Sequence, residues 1–80
     1  MLKIKDKVRH KDNIEIISAI YLKINAETCD YNCAELEIMF ESGRFYYDEI
    51  TDYEYGIEDI NKRLLNRADI MLEKVSDGNE

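Results

Sequence analysis

The chain has 80 residues, 45% of them apolar and 36% charged, and its formal net charge at neutral pH is −7. This length suits one domain with a small core, and the composition is that of a folded chain rather than a disordered one. No apolar run approaches the ~20 residues of a membrane helix, and the lysine-rich start lacks the apolar segment of a signal peptide. The sequence therefore predicts a cytoplasmic protein without membrane contact.

Two strands are predicted in the first part of the chain. In residues 3–11 a basic side chain occupies every second position, and a period of two with lysines on one face is typical of an edge strand. Asp12 and Asn13 indicate a tight turn. Residues 14–24 are rich in β-branched side chains and predict a long second strand, with its even-numbered side chains on one face and a bend near Ser18.

A hairpin is predicted next, after a polar loop. Residues 34–41 alternate, with three apolar side chains facing inward and glutamates facing outward. The return strand is predicted over residues 44–50, joined to the first by a turn at Ser42 and Gly43. In the strand predicted over residues 34–41, the inward side chains are Leu36, Ile38 and Phe40.

The period then changes to that of a helix. Apolar residues recur every three or four positions between residues 57 and 75, which predicts an amphipathic helix. Thr51 would allow an earlier start through a capping box, whereas Gly56 favours a start at Ile57. Residues 76–80 are predicted to fray.

The order β-β-loop-β-β-α predicts one α+β domain. A small antiparallel sheet of about four strands is followed by one C-terminal amphipathic helix. Such a sheet can curl into a small barrel closed by the helix, or stay open with the helix across one face.

The opening and closing strands carry a family resemblance. Asp6, Val8 and Lys11, together with the later stretch "GRFYYDEI", resemble the strands of small bacterial SH3-like barrels, which commonly begin "GDxVxxK". Lys5 stands where that pattern has glycine. The resemblance covers about half the chain and implies a barrel, and it implies no functional residues.

The side chains that catalysis or metal binding requires are few. His10 is the single histidine, and the sequence contains no nucleophile motif and no phosphate-binding glycine loop. Cys29 and Cys33 are predicted to be free thiols, because a zinc site would also need His10 and a carboxylate such as Asp30. We expect no enzyme activity, no cofactor and no metal.

The most informative stretch is residues 45–59, which combines four tyrosines with six acids and no basic residue. Tyrosines are favoured at interfaces, and spaced carboxylates can imitate nucleic-acid phosphates toward a basic groove. These residues predict a protein partner with a basic surface. The predicted partner-binding residues are Tyr46, Asp48, Glu49, Asp52, Tyr53, Glu54, Tyr55, Glu58 and Asp59.

Three functions remain open. In its small size, acidity and lack of catalytic motifs, the chain resembles phage-encoded inhibitors such as anti-CRISPR and anti-restriction proteins, which implies a bacterial or phage-infected cell. The first function is therefore a protein-binding module, and an inhibitor of this kind is its more specific form. The second is a homodimer formed through the apolar stripe of the helix. The third is a nucleic-acid-binding barrel that uses the basic first strand, ranked last because the net charge is −7.

Overall fold

The computed structural model describes residues 1–25, 32–52 and 56–75. They form a five-stranded sheet with strand order β4-β3-β2-β1-β5 and one helix, and each strand pairing is antiparallel. The predicted α+β class is confirmed, and the sheet stays open rather than closing into a barrel. The elements are β1 (Lys7–His10), β2 (Asn13–Asn25), β3 (Asn32–Phe40), β4 (Phe45–Asp52), α1 (Ile57–Met71) and β5 (Glu73–Lys74).

The first hairpin differs from its prediction by one residue. Lys11 and Asp12 both have positive φ, at 48° and 67°, as the two central residues of a type I′ turn require. The turn therefore precedes Asn13, which pairs with His10. The strand also begins later than predicted, since Lys5 has a φ of 77° that interrupts extended backbone.

The predicted bend in β2 is present as a β-bulge. The register between β2 and β3 shifts between Ile17 and Ala19. The extra residue reverses the alternation, so Ile17 and Ile20 both pair with buried β3 residues and face the helix. The prediction that residues 14–24 keep their even-numbered side chains on one face is therefore wrong before the bulge.

The helix covers one face of the sheet. It begins at Ile57 after Gly56, which has extended backbone and forms no side-chain cap. Its fully buried side chains lie one turn apart and pack with β3 and β4 residues in a single core. Three of these residues lie in the helix and the fourth directly follows its end: Ile60, Leu64, Ala68 and Leu72.

The helix ends at Met71, four residues before its predicted end at 75. Glu73 and Lys74 instead pair with β1, and the Val75 N–H donates to the Lys7 carbonyl. These bonds give the backbone of this segment partners in the sheet, so the chain leaves the helical path.

The other face of the sheet has no described element over it. We call this the open face. Its side chains are those that alternate with the core residues along each strand. They include the β3 glutamates that the sequence predicted to face outward.

Candidate protein-binding surface

Two of the predicted contact acids face the helix and are paired with it. Asp48 and Asp52 are half-buried on β4, on the same side as the core. Asp48 accepts a hydrogen bond from Nη2 of Arg67, and an Asp52 carboxylate oxygen lies 3.5 Å from Nη1 of Arg63. The two helix arginines offset these charges, so they add little to the field that an approaching partner meets.

Tyr46 is part of the core rather than an exposed contact. It is 7% exposed, and its hydroxyl lies 3.5 Å from Oδ2 of Asp48. Burial raises the pKa of Tyr46, and the nearby charge of Asp48 raises it further. The side chain therefore anchors β4 to the domain.

The remaining described members of the predicted set lie apart from these. Glu49 is exposed on the open face, whereas Glu58 and Asp59 are exposed in the first turn of α1. Tyr53, Glu54 and Tyr55 lie outside the described residues. The described members of the set are thus distributed over the helix face, the open face and the helix start.

A different cluster forms on the open face around Tyr47. Its hydroxyl oxygen lies 2.5 Å from Oε1 of Glu35 and 3.0 Å from Oε2 of Glu49. Glu35 and Glu49 are directly opposite each other on β3 and β4, where like charges repel. The hydroxyl has one proton, which it donates to one of the two carboxylates at a time. The hydrogen bond to Glu35, ahead of burial and the hydrogen bond to Glu49, raises the pKa of Tyr47 well above its usual value.

Neighbouring positions extend this cluster across three strands. Glu37 pairs with Tyr21 on one side and Tyr47 on the other. Tyr21, Phe45 and Tyr47 are 51%, 53% and 48% exposed, so their rings are available to a partner. The open-face cluster is defined as Tyr21, Glu35, Glu37, Phe45, Tyr47 and Glu49.

The charge of the open-face cluster is only partly offset by described cations. No ion pair joins Glu35, Glu37 or Glu49 to any basic residue in the described part of the chain. Lys23 is directly opposite Glu35 on β2 and offsets part of this charge, but three glutamates against one lysine leave the local charge negative. The sequence prediction did not include Glu35 and Glu37, although their alternation placed them outward, because it followed one continuous stretch rather than neighbouring strands.

The described residues offer no metal centre. Within residues 1–25, 32–52 and 56–75, no group of three or more His, Cys, Asp and Glu side chains is arranged to hold a metal ion. Cys33 is a free thiol that accepts a hydrogen bond from the Thr51 hydroxyl at 3.4 Å. Cys29 and Asp30 lie outside the described residues.

Comparison with protein-family models, curated proteins and solved structures gave no match to this chain. In the described residues, no helix has both the length and the apolar character needed to cross a membrane.

Proposed function

We propose that this chain is a protein-binding module whose open-face cluster contacts a basic surface on a partner protein. The observation that carries the proposal is the contact of one exposed tyrosine hydroxyl with two facing carboxylates, Glu35 and Glu49, with which no described cation forms an ion pair. This part of the proposal keeps the predicted basic partner. It moves the contact surface from the strand–helix junction to the open face.

The cluster matches what a guanidinium group needs. Residues directly opposite on antiparallel strands have Cβ atoms about 5 Å apart, and an arginine presents several N–H donors in one plane. An arginine from a partner would bridge Glu35 and Glu49 and relieve their repulsion. Tyr47 and Tyr21 lie in the neighbouring row of the sheet and Phe45 one row further, and their exposed rings supply area for burial, as aromatic residues do at interfaces.

The charge of the whole chain favours the same class of partner. A net charge of −7 speeds encounter with a basic protein and makes the association sensitive to salt. A protein that binds nucleic acid carries such a basic groove. We therefore include, as the finer proposal, inhibition of a nucleic-acid-binding protein by occupation of its groove.

The homodimer alternative receives less support. Ile60, Leu64 and Leu72 of the apolar stripe are buried against the sheet of the same chain. A dimer built on that stripe would have to expose its own core first.

The test is a capture experiment from bacterial lysate at low and at high salt. One bait carries Glu35→Gln, Glu37→Gln and Glu49→Gln, and a control bait carries Glu58→Gln and Asp59→Asn at the helix start. We expect the unmodified and control baits to capture a basic protein at low salt, and the open-face bait to lose it. Retention by the open-face bait together with loss by the control bait would assign the contact to the helix start and overturn the proposal.

A further inference from the structure

Within the described residues, the outer edge of β4 has backbone groups without a hydrogen-bond partner. β4 is the last strand of the sheet on its side. The Phe40 N–H donates to the Arg44 carbonyl, so Phe40 and Arg44 are a hydrogen-bonded pair. In an antiparallel ladder such pairs alternate with pairs whose backbone groups point away. The residues that point their N–H and C=O groups outward are therefore Phe45, Tyr47, Glu49 and Thr51.

One hydrogen bond supports this orientation. The Glu49 N–H donates to Oδ1 of Asp48 at 2.9 Å rather than to β3. No described group accepts from the N–H groups of Phe45, Tyr47 and Thr51. β4 also contains no lysine, no proline and no bulge, three of the features that protect an edge from pairing. Its inward-pointing charges, Asp48 and Asp52, are paired with helix arginines.

A groove runs beside this edge. Between β4 and the end of α1 is a cleft of about 310 Å³, lined on β4 by Tyr46, Tyr47 and Asp48 and on the helix by Arg67, Ile70 and Met71. Ile70 is 79% exposed and Met71 62% exposed. A larger cleft of about 680 Å³ shares Tyr46 and Met71 and reaches the two hairpin turns. The edge is therefore flanked by apolar side chains on the helix side.

We propose that the β4 edge and this groove bind an extended segment of the basic partner, which adds to the sheet as a sixth strand. The inference rests on the proposed function and specifies how the partner is held. Side chains of an added strand alternate between the two faces. Basic side chains lie over Tyr47 and Glu49 on the open face, and the apolar side chains between them enter the groove against Ile70 and Met71.

The charge of β4 selects this occupant over a second copy of the chain. β4 carries Asp48, Glu49 and Asp52 and no basic residue. A second copy paired through the same edge by a two-fold axis would place the glutamates of its own open face on the same side of the joined sheet, where like charges repel. On the open face a lysine- or arginine-bearing strand meets the opposite charge at Glu49. Its apolar side chains lie on the side of Asp48 and Asp52, whose charges Arg67 and Arg63 offset.

The probe is a capped seven-residue peptide in which four lysines alternate with three leucines. Its affinity for the full chain is measured by fluorescence anisotropy at low salt. Two further peptides carry two backbone N-methyl groups each, one on the inner lysines and one on two of the leucines. Since only alternate N–H groups of an added strand face β4, we expect one methylated peptide to lose at least tenfold in affinity and the other to bind as the parent does. Loss with the lysine set indicates an antiparallel strand, and loss with the leucine set a parallel one.

The result that overturns the inference is equal binding by all three peptides, equal loss by both methylated peptides, or no binding by the parent. The proposed function is tested separately by the lysate capture, which requires no added strand. A partner that depends on Glu35 and Glu49 while the two methylated peptides behave alike would keep the proposed function and refute the strand addition. A groove variant, Met71→Lys, should weaken the parent peptide at least fivefold, whereas exposed Lys62→Ala on the same helix should not.

Discussion

Arg44 and Glu15 form an ion pair between the β3–β4 turn and β2, with Nε of Arg44 2.6 Å from Oε2 of Glu15. Glu15 is only 2% exposed, and the Ser42 hydroxyl donates a second hydrogen bond to it at 2.8 Å. The hydrogen bond from Arg44, more than any other cause, holds the pKa of Glu15 below its usual value. One buried carboxylate thus connects both hairpins of the sheet.

Replacing Arg44 by alanine should destabilise the fold at neutral pH. The carboxylate of Glu15 would then be buried with Ser42 as its remaining side-chain partner. Loss of a charged hydrogen bond at such a site costs about 1–3 kcal/mol of unfolding free energy, and the exposure of Arg44 favours the lower end. Urea unfolding at pH 7 measures the loss.

The stability that the Arg44→Ala variant loses should depend on pH. A carboxyl group whose folded pKa is lowered contributes stability above its unfolded pKa and loses it as pH falls through the folded pKa. The difference between the two proteins should therefore shrink as pH falls below 4.5, the ordinary value for this side chain, toward the lowered pKa of Glu15. A difference that stays constant from pH 7 to pH 3 would contradict this account.

His10 gives a second pH-dependent contribution. Its ring centroid lies 5.5 Å from that of Phe40 and 6.0 Å from that of Tyr46. Burial lowers the pKa of His10, and Lys11 and Arg44 lower it while Glu15 opposes them. The unfolded chain therefore binds the proton first, and stability should fall as pH drops below about 6.5 toward the folded pKa.

An NMR titration of the His10 imidazole tests this directly, because the chain has no other histidine. The expected midpoint is below 6.5, the ordinary value for the side chain. A midpoint at or above that value would contradict this account.

Leu64 should be among the positions most sensitive to truncation. It is fully buried in the middle of α1, against the sheet. Leu64→Ala should cost about 2–5 kcal/mol of unfolding free energy through lost burial and the remaining cavity. Ile70→Ala on the same helix, where the side chain is 79% exposed, should change it by less than about 0.5 kcal/mol. Equal losses would mean that the helix packs by another face.

The sequence predicted most of the architecture because two periods are clear in it. The alternation of Leu36, Ile38 and Phe40 against glutamates is preserved in β3, and the apolar spacing of the helix places Ile60 and Leu64 in the core. The reversal at Ser18 was not predicted, because a bulge keeps the same composition while changing the face of each later side chain.

The candidate site was less predictable because it depends on pairing between distant segments. Asp48 and Asp52 were grouped with Glu49 along one stretch. A period of two puts the two aspartates on one face of β4 and Glu49 on the other. That separation was available from the alternation alone. Their ion pairs with Arg67 and Arg63, and the meeting of Glu35 with Glu49, depend on how the helix and β3 lie against β4.

The most direct test of the proposed surface is an NMR titration of the isotope-labelled chain with the alternating lysine–leucine peptide. If the open-face cluster and the β4 edge are the binding surface, the largest shifts of backbone amide signals should fall on Glu35, Tyr47 and Thr51. The amides of Glu58 and Asp59 should stay within the noise, and added salt should reverse the shifts. Shifts confined to the helix start, or uniform small shifts over the whole chain, would contradict the account.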